Sequence, residues 1–172
     1  MSKLQGYKKI ANDARKRVLR LIYNAQTSHI GSNFSVTDLM TVLFDRSDLD
    51  RDKIILSKGW VAAVLYYFFW KMGRITEKEL DSYCLPGSKF IGLAEPIIPE
   101  IPAAGGSMTY GLPFGVGFAL AKKFKKEQGK VYVIESDGGM QGGQTWEAIL
   151  IAAHHKLNNL ILIIDDNSLQ AM

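Results

Sequence analysis

The chain is poor in the residues that build redox and soft-metal chemistry, with one cysteine and three histidines in 172 residues. A lone Cys84 excludes an internal disulfide, which fits a reducing compartment. Its neighbours Tyr83, Leu85 and Pro86 offer no base, so the thiol reads as structural. Two of the histidines, His154 and His155, sit near a helix end where contact with the dipole suffices to explain them, and no zinc site is expected there. The opening Met1-Ser2-Lys3-Leu4-Gln5-Gly6 lacks the apolar core of a signal peptide. No apolar run approaches the ~20 residues of a spanning helix, so no membrane partner is expected and a cytoplasmic location is. Excess charge is slight too, at a formal net of +4. Its visible source is Lys122, Lys123, Lys125, Lys126 and Lys130, a solvated helix end with no aromatic interleaving, so nucleic acid is not an expected partner.

What remains is ordinary globular material, 47% apolar and 22% charged. A chain of this length can bury roughly 70% of its unfolded surface, enough for one domain over residues 1–172. No repeat or linker interrupts it.

Helical spacing of Ile10, Ala14, Val18, Leu21 and Ile22 predicts a helix from Leu4 to Gln26. His29-Ile30-Gly31-Ser32-Asn33 reads as a turn, and Ser35-Val36-Thr37-Asp38 as the capped start of a helix to about Phe44. A short strand is expected over Lys53–Leu56, an aromatic-rich helix over Trp60–Met72, and a helix over Glu77–Tyr83 capped by Thr76. The cluster Tyr66, Tyr67, Phe68, Phe69 and Trp70 reads as core and subunit interface. Cys84 to Gly105 holds most of the prolines and reads as a long irregular segment, of a kind that is usually functional. A helix follows from Gly111 to about Glu127.

The stretch Val131 to Ala171 is the most informative. An apolar strand ends on an acid and meets the glycine-rich turn Ser136-Asp137-Gly138-Gly139. A helix, a second apolar strand (Leu160–Ile164) and the turn Asp166-Asn167 follow. Short apolar strands alternating with helices predict an α/β fold with a parallel sheet flanked by helices. Such a unit puts Asp137 and Asn167 at the carboxyl ends of two parallel strands, where open α/β sheets bind ligands. A carboxylate and an amide oxygen are hard ligands, suited to magnesium holding a phosphate. No helix follows the last strand to cover it, so the fold reads as incomplete at its C-terminus.

In their order these motifs resemble the N-terminal, thiamine-diphosphate-binding domain of transketolases, most closely the form in which that domain is encoded separately as its own subunit. The match runs from about Leu4 to Met172 and rests on the Asp137-Gly138 and Asn167 turns. It extends to Ser28-His29-Ile30-Gly31-Ser32, Leu56-Ser57-Lys58-Gly59, Gly106-Ser107-Met108, Trp146-Glu147-Ala148 and His154-His155-Lys156-Leu157. The resemblance implies the thiamine-diphosphate-binding fold and transfer of a two-carbon ketol unit between sugar phosphates. It implies magnesium held by Asp137, Asn167 and the backbone carbonyl of Leu169. Gly138, Gly106, Ser107, Met108 and Asn167 would hold the cofactor, and His29 would face the substrate. A pyrimidine-binding subunit is implied as partner, in a homodimer or heterotetramer.

Four departures accompany the match. Trp60 and Leu93 stand where the family carries histidines, and Gly139 and Gly142 where it commonly carries glutamates. They leave an alternative expectation, a catalytically inactive remnant that keeps the fold as an interaction module or has no activity.

Overall fold

The structure, a computed structural model, describes residues 2–105 and 107–169. They group into two compact units, one of Met1–Ser47 with Trp60–Ala94, the other of Asp48–Gly59 with Glu95–Met172.

The first unit is helical: α1 (Lys3–Ala25), α2 (Ile30–Arg46), α3 (Ala62–Lys71) and α4 (Glu77–Asp81). Ser2 opens α1 with a reciprocal cap, its hydroxyl accepting from the Gln5 amide while the Gln5 side chain accepts from the Ser2 amide. Its buried stripe is Ala11, Ala14, Val18, Leu21 and Ile22; Ile10, expected in that stripe, is exposed instead. Helix α3 is buried at every position from Ala62 to Phe69, so it is the apolar centre of this unit rather than an amphipathic cover. Phe44 stacks on Phe68 at 4.9 Å between ring centres and meets Phe69 edge-on. The Thr76 cap of α4 is present as expected.

The expected turn over residues 29–33 is wrong. Helix α2 already begins at Ile30, and Ser35 lies inside it. The reason is Asn33, fully buried in the first turn of α2. Its Nδ2 donates to the carbonyls of His29 (2.9 Å) and Trp60 (3.2 Å), and its Oδ1 accepts from the Val64 amide (3.0 Å). Val61, the residue before α3, caps nothing with its own side chain. Asn33 therefore closes one helix start and serves an otherwise unpaired donor of another, a tertiary demand that local capping rules do not register.

The second unit is a three-stranded parallel sheet, β1 (Lys53–Leu56), β2 (Val131–Ser136) and β3 (Leu160–Asp165), in the order β1-β2-β3. Helices α5 (Gly111–Lys125) and α6 (Gly143–His154) complete it. The α/β expectation is met, and all three strands fall where their apolar runs lie. Ile55, Leu112, Val116, Ala119, Val131, Val133, Ala148 and Leu157 form the core. The lysine cluster is only partly solvated: Lys122 is buried and donates to the Gln128 carbonyl at 2.9 Å, satisfying an acceptor beyond the helix end. Leu160 to Ile163 are half-buried and Ile164 is exposed. A groove of about 540 Å³ lies along β3, lined by Leu112, Ile149, Ala152, Leu157, Leu160 and Leu162 among others. Among the described residues no helix is long and apolar enough to cross a membrane.

Candidate functional site

The site is built by strand register. Ser136 pairs with Asp165 at the carboxyl ends of β2 and β3. Asp137 and Asn167 follow within two residues of those ends. After β2 the chain tightens into a 3₁₀ turn, Gly138–Gln141, pinned by the Thr145 hydroxyl on the Gly139 carbonyl (2.9 Å) and by the Ser136 hydroxyl, which accepts from the Gly139 amide (3.0 Å). After β3 the Asn167 Oδ1 accepts from the Leu169 amide at 3.0 Å, with Ser168 between them in the left-handed region. Between the two turns lies a pocket of about 270 Å³, lined by Asp137, Gly138, Gln141, Ser168 and Leu169.

One atom in that pocket is out of balance. The Asp137 Oδ1 is buried and has no hydrogen-bond partner among the described residues. A buried acceptor left unpaired costs ~1–3 kcal/mol, so a fold retains one chiefly where something else satisfies it. A divalent cation is the ligand a carboxylate oxygen, an amide oxygen and a backbone carbonyl suit best. The residues present fit such an ion and the phosphate it would carry. Among the described residues there is no cluster of three His, Cys, Asp or Glu side chains that could hold a metal ion.

The end of β1 adjoins this edge. The Ser57 and Lys58 amides both donate to the Ile134 carbonyl of β2, at 2.8 and 3.1 Å. The Ser57 hydroxyl accepts from the Gly111 amide at the start of α5 (3.1 Å) and donates to Glu135. Glu135 is fully buried at the end of β2, and burial raises its pKa above the usual carboxylate range. Lys58 pairs with Asp165 across the sheet end, both side chains about nine-tenths buried. A Cβ at Gly59 would run into the Gly105 carbonyl, so glycine there lets the segment leading to Ser107 and Met108 close on the β1 turn. Ser107 and Met108 are exposed. Gly106 lies outside the described residues.

Residues 7–171 match the family described as "Transketolase, thiamine diphosphate binding domain". The chain belongs to the transketolase family. It is 33% identical over 165 residues to one subunit of an apulose-4-phosphate transketolase of Phocaeicola vulgatus, covering 91% of the chain and 59% of that protein. It is 35% identical to the protein of the same name from Actinobacillus succinogenes, covering 94% of the chain and 63% of the relative. The crystal structure of a transketolase from Campylobacter jejuni superposes with a TM-score of 0.89 at 28% identity, over 99% of the chain and 29% of that protein. The chain thus spans about three fifths of the length of the apulose-4-phosphate relatives and under a third of the Campylobacter transketolase.

Against the transketolase pattern, the second unit brings Asp137, Gly138 and Leu169 to one pocket, with Asn167 half-buried behind the Leu169 amide it holds. Lys58, Ser57 and Glu135 at the same edge went unread as site residues in the sequence. The Leu56-Ser57-Lys58-Gly59 motif and a carboxylate closing an apolar strand were their visible signals. Gly139 and Gly142 have no spare room: a Cβ at Gly139 would overlap the Glu135 carboxylate, and one at Gly142 the Thr109 side chain.

His29 belongs to the first unit, at the N-terminus of α2 in the left-handed region (φ 75°). Its Nδ1 lies 2.6 Å from the Ser28 hydroxyl, and its ring stacks on Trp60 at 4.3 Å and 8°. Trp60 is 44% exposed, so this substituted position is no core residue. Burial lowers the His29 pKa below the usual histidine value. The fold favours the neutral ring, so its contribution to stability is complete above the unfolded value near 6.5 and is lost as pH falls through the lowered folded value. In an NMR titration His29 is expected to titrate below the usual histidine value, and Trp60→Ala to move it upward. An unchanged midpoint in Trp60→Ala would show that the stacked indole does not supply the burial.

Proposed function

We propose that the chain supplies the diphosphate-and-magnesium side of a transketolase active site, for two-carbon ketol transfer between sugar phosphates. The observation that carries this is the buried Asp137 Oδ1, without a partner among the described residues, on a residue that lines one pocket with Gly138 and Leu169. Asp137, Asn167 and the Leu169 carbonyl would hold the metal, and Gly138, with Gly106, Ser107 and Met108, would lie along the cofactor. His29 would orient the sugar through a neutral ring that can accept or donate one hydrogen bond. Thiamine diphosphate, when bound, supplies the nucleophilic carbon and the electron sink, so this chain's part is binding, orientation and electrostatics. The apulose-4-phosphate relatives are each named as one subunit of their transketolase, which supports a partner carrying the pyrimidine-binding half, in a homodimer or heterotetramer.

The test is calorimetric titration with magnesium and thiamine diphosphate, followed by an assay with donor ketose and acceptor aldose. Saturable binding is expected that requires both components. Ketol transfer is expected only when the pyrimidine-binding subunit is supplied, because proton transfer to the cofactor ring by an acid of that half is worth ~100 to 10,000-fold. Absence of binding at millimolar cofactor would overturn the reading. Turnover by the isolated chain would overturn its half-site character. The second reading, a remnant without activity, rests on Trp60, Leu93, Gly139 and Gly142, which stand where the family carries histidines and acids.

A further inference from the structure

We infer that Lys58 is a positioning residue, which through Asp165 sets the geometry of both turns of the proposed metal–diphosphate pocket; this rests on the proposed function for the identity of the ligand, though not for the positioning itself.

The argument is one of connectivity. Lys58 leaves the end of β1, and its ammonium pairs with the Asp165 carboxylate at the end of β3, so the contact spans the sheet across β2. Asp165 is the residue on which both turns converge. Its backbone carbonyl accepts from the Asp137 amide and from the Asn167 Nδ2, each at 3.4 Å. Both distances are long for N–H···O bonds, so neither fixes the turns by itself. The Asp165 side chain, by contrast, is held by an ion pair about nine-tenths buried, where a charge-assisted contact is little screened. Fixing that side chain fixes the residue whose carbonyl joins the two turns. At its other end Lys58 is anchored by its amide on the Ile134 carbonyl (3.1 Å), two residues before Ser136. Lys58 thus ties all three strand ends together while lining none of the pocket.

A buried ion pair is seldom retained for stability alone, since an apolar replacement of both partners is often neutral or better. Its attested use is to specify one geometry, and ligand-holding groups depend on such outer partners for about 10–100-fold in metal affinity. The pair here sits where that role would be exercised.

The test uses the full chain, with Lys58→Met, Lys58→Arg and the double variant Lys58→Met/Asp165→Asn. The double variant leaves no buried charge unpaired and guards against simple unfolding. Two readouts are taken. The first is amide hydrogen exchange without ligand: at Asp137 and Leu169 it is expected to speed up at least tenfold in Lys58→Met and in the double variant, to recover in Lys58→Arg, and to stay unchanged in α1 and α2. The second is titration with magnesium and thiamine diphosphate, where affinity is expected to fall about 10–100-fold in the same two variants and to recover in Lys58→Arg. Parental exchange at Asp137 and Leu169 in the double variant would overturn the positioning role whatever the ligand. Loosened turns with parental affinity would overturn its bearing on binding. Loosened turns in a chain whose parent binds no cofactor would support the positioning and instead remove the proposed function.

Discussion

Asp137→Ala is expected to abolish the thermal stabilisation that magnesium and thiamine diphosphate give, without lowering the melting temperature of the free chain. The two halves of this result have different origins. Ligand at 100 times its dissociation constant adds about 2.7 kcal/mol, which for a chain of this size is a rise of roughly 5–10 °C. Among the described residues Asp137 is the one carboxylate lining the pocket, so without it the cation loses the charged ligand these side chains offer, and the shift with it. In the free chain the same carboxylate contributes a buried oxygen that nothing among the described residues satisfies. Removing it relieves a cost of ~1–3 kcal/mol, offset by the few contacts of the lost atoms. The free variant should therefore melt at or above the parent. That pattern, a ligand-free gain with a ligand-bound loss, separates a functional group from a structural one. Differential scanning fluorimetry of both proteins, with and without the two components, measures it. A free variant several degrees less stable than the parent would show that Asp137 serves the fold, and a retained shift would show that the pocket does not hold the metal.

The parts of this fold that were legible in the sequence are those decided locally. Lys53–Leu56 and the apolar runs of β2 and β3 announce strands because their side chains are buried on a parallel sheet, and Thr76 announces α4 through its own hydroxyl. The Asp137 and Asn167 turns were legible for the same reason, since each follows its strand directly. What was not legible depended on residues distant in sequence. Asn33 begins α2 early because it serves Val64 and Trp60, 31 and 27 residues away, and no rule about neighbours contains that demand. Ile10 and Ala11 exchange places because the face of α1 that packs is chosen by what it packs against. Lys58 reads as one residue of a motif, and its pairing with Asp165 emerges only once β1, β2 and β3 are set side by side.

Glu135 and Gly139 carry the last expected result, and they alter the meaning of a departure visible in the sequence. Gly139 stands where transketolases commonly carry an acid, which by itself reads as a loss. The space an added side chain would enter is filled by the Glu135 carboxylate, whose Oε1 accepts from the Ser136 amide at 2.9 Å and whose other oxygen accepts from Ser57. The two positions therefore compete for one volume. Gly139→Ala is expected to destabilise by ~1–3 kcal/mol, the cost of overpacking against a Glu135 carboxylate held by Ser57 and Ser136. Gly139→Glu should cost more, because a second carboxylate would enter beside a buried one. In a Glu135→Ala background the same Gly139→Ala change should cost little, since its obstruction is gone. The interaction energy between the two sites should then be about 1–3 kcal/mol, within the ~0.5–3 kcal/mol found for residues in contact. Urea unfolding of the parent, the two single variants and the double variant closes the cycle. Additive effects would mean that Glu135 moves aside freely. In that case its burial between Ser57 and Ser136 would not be what keeps glycine at 139.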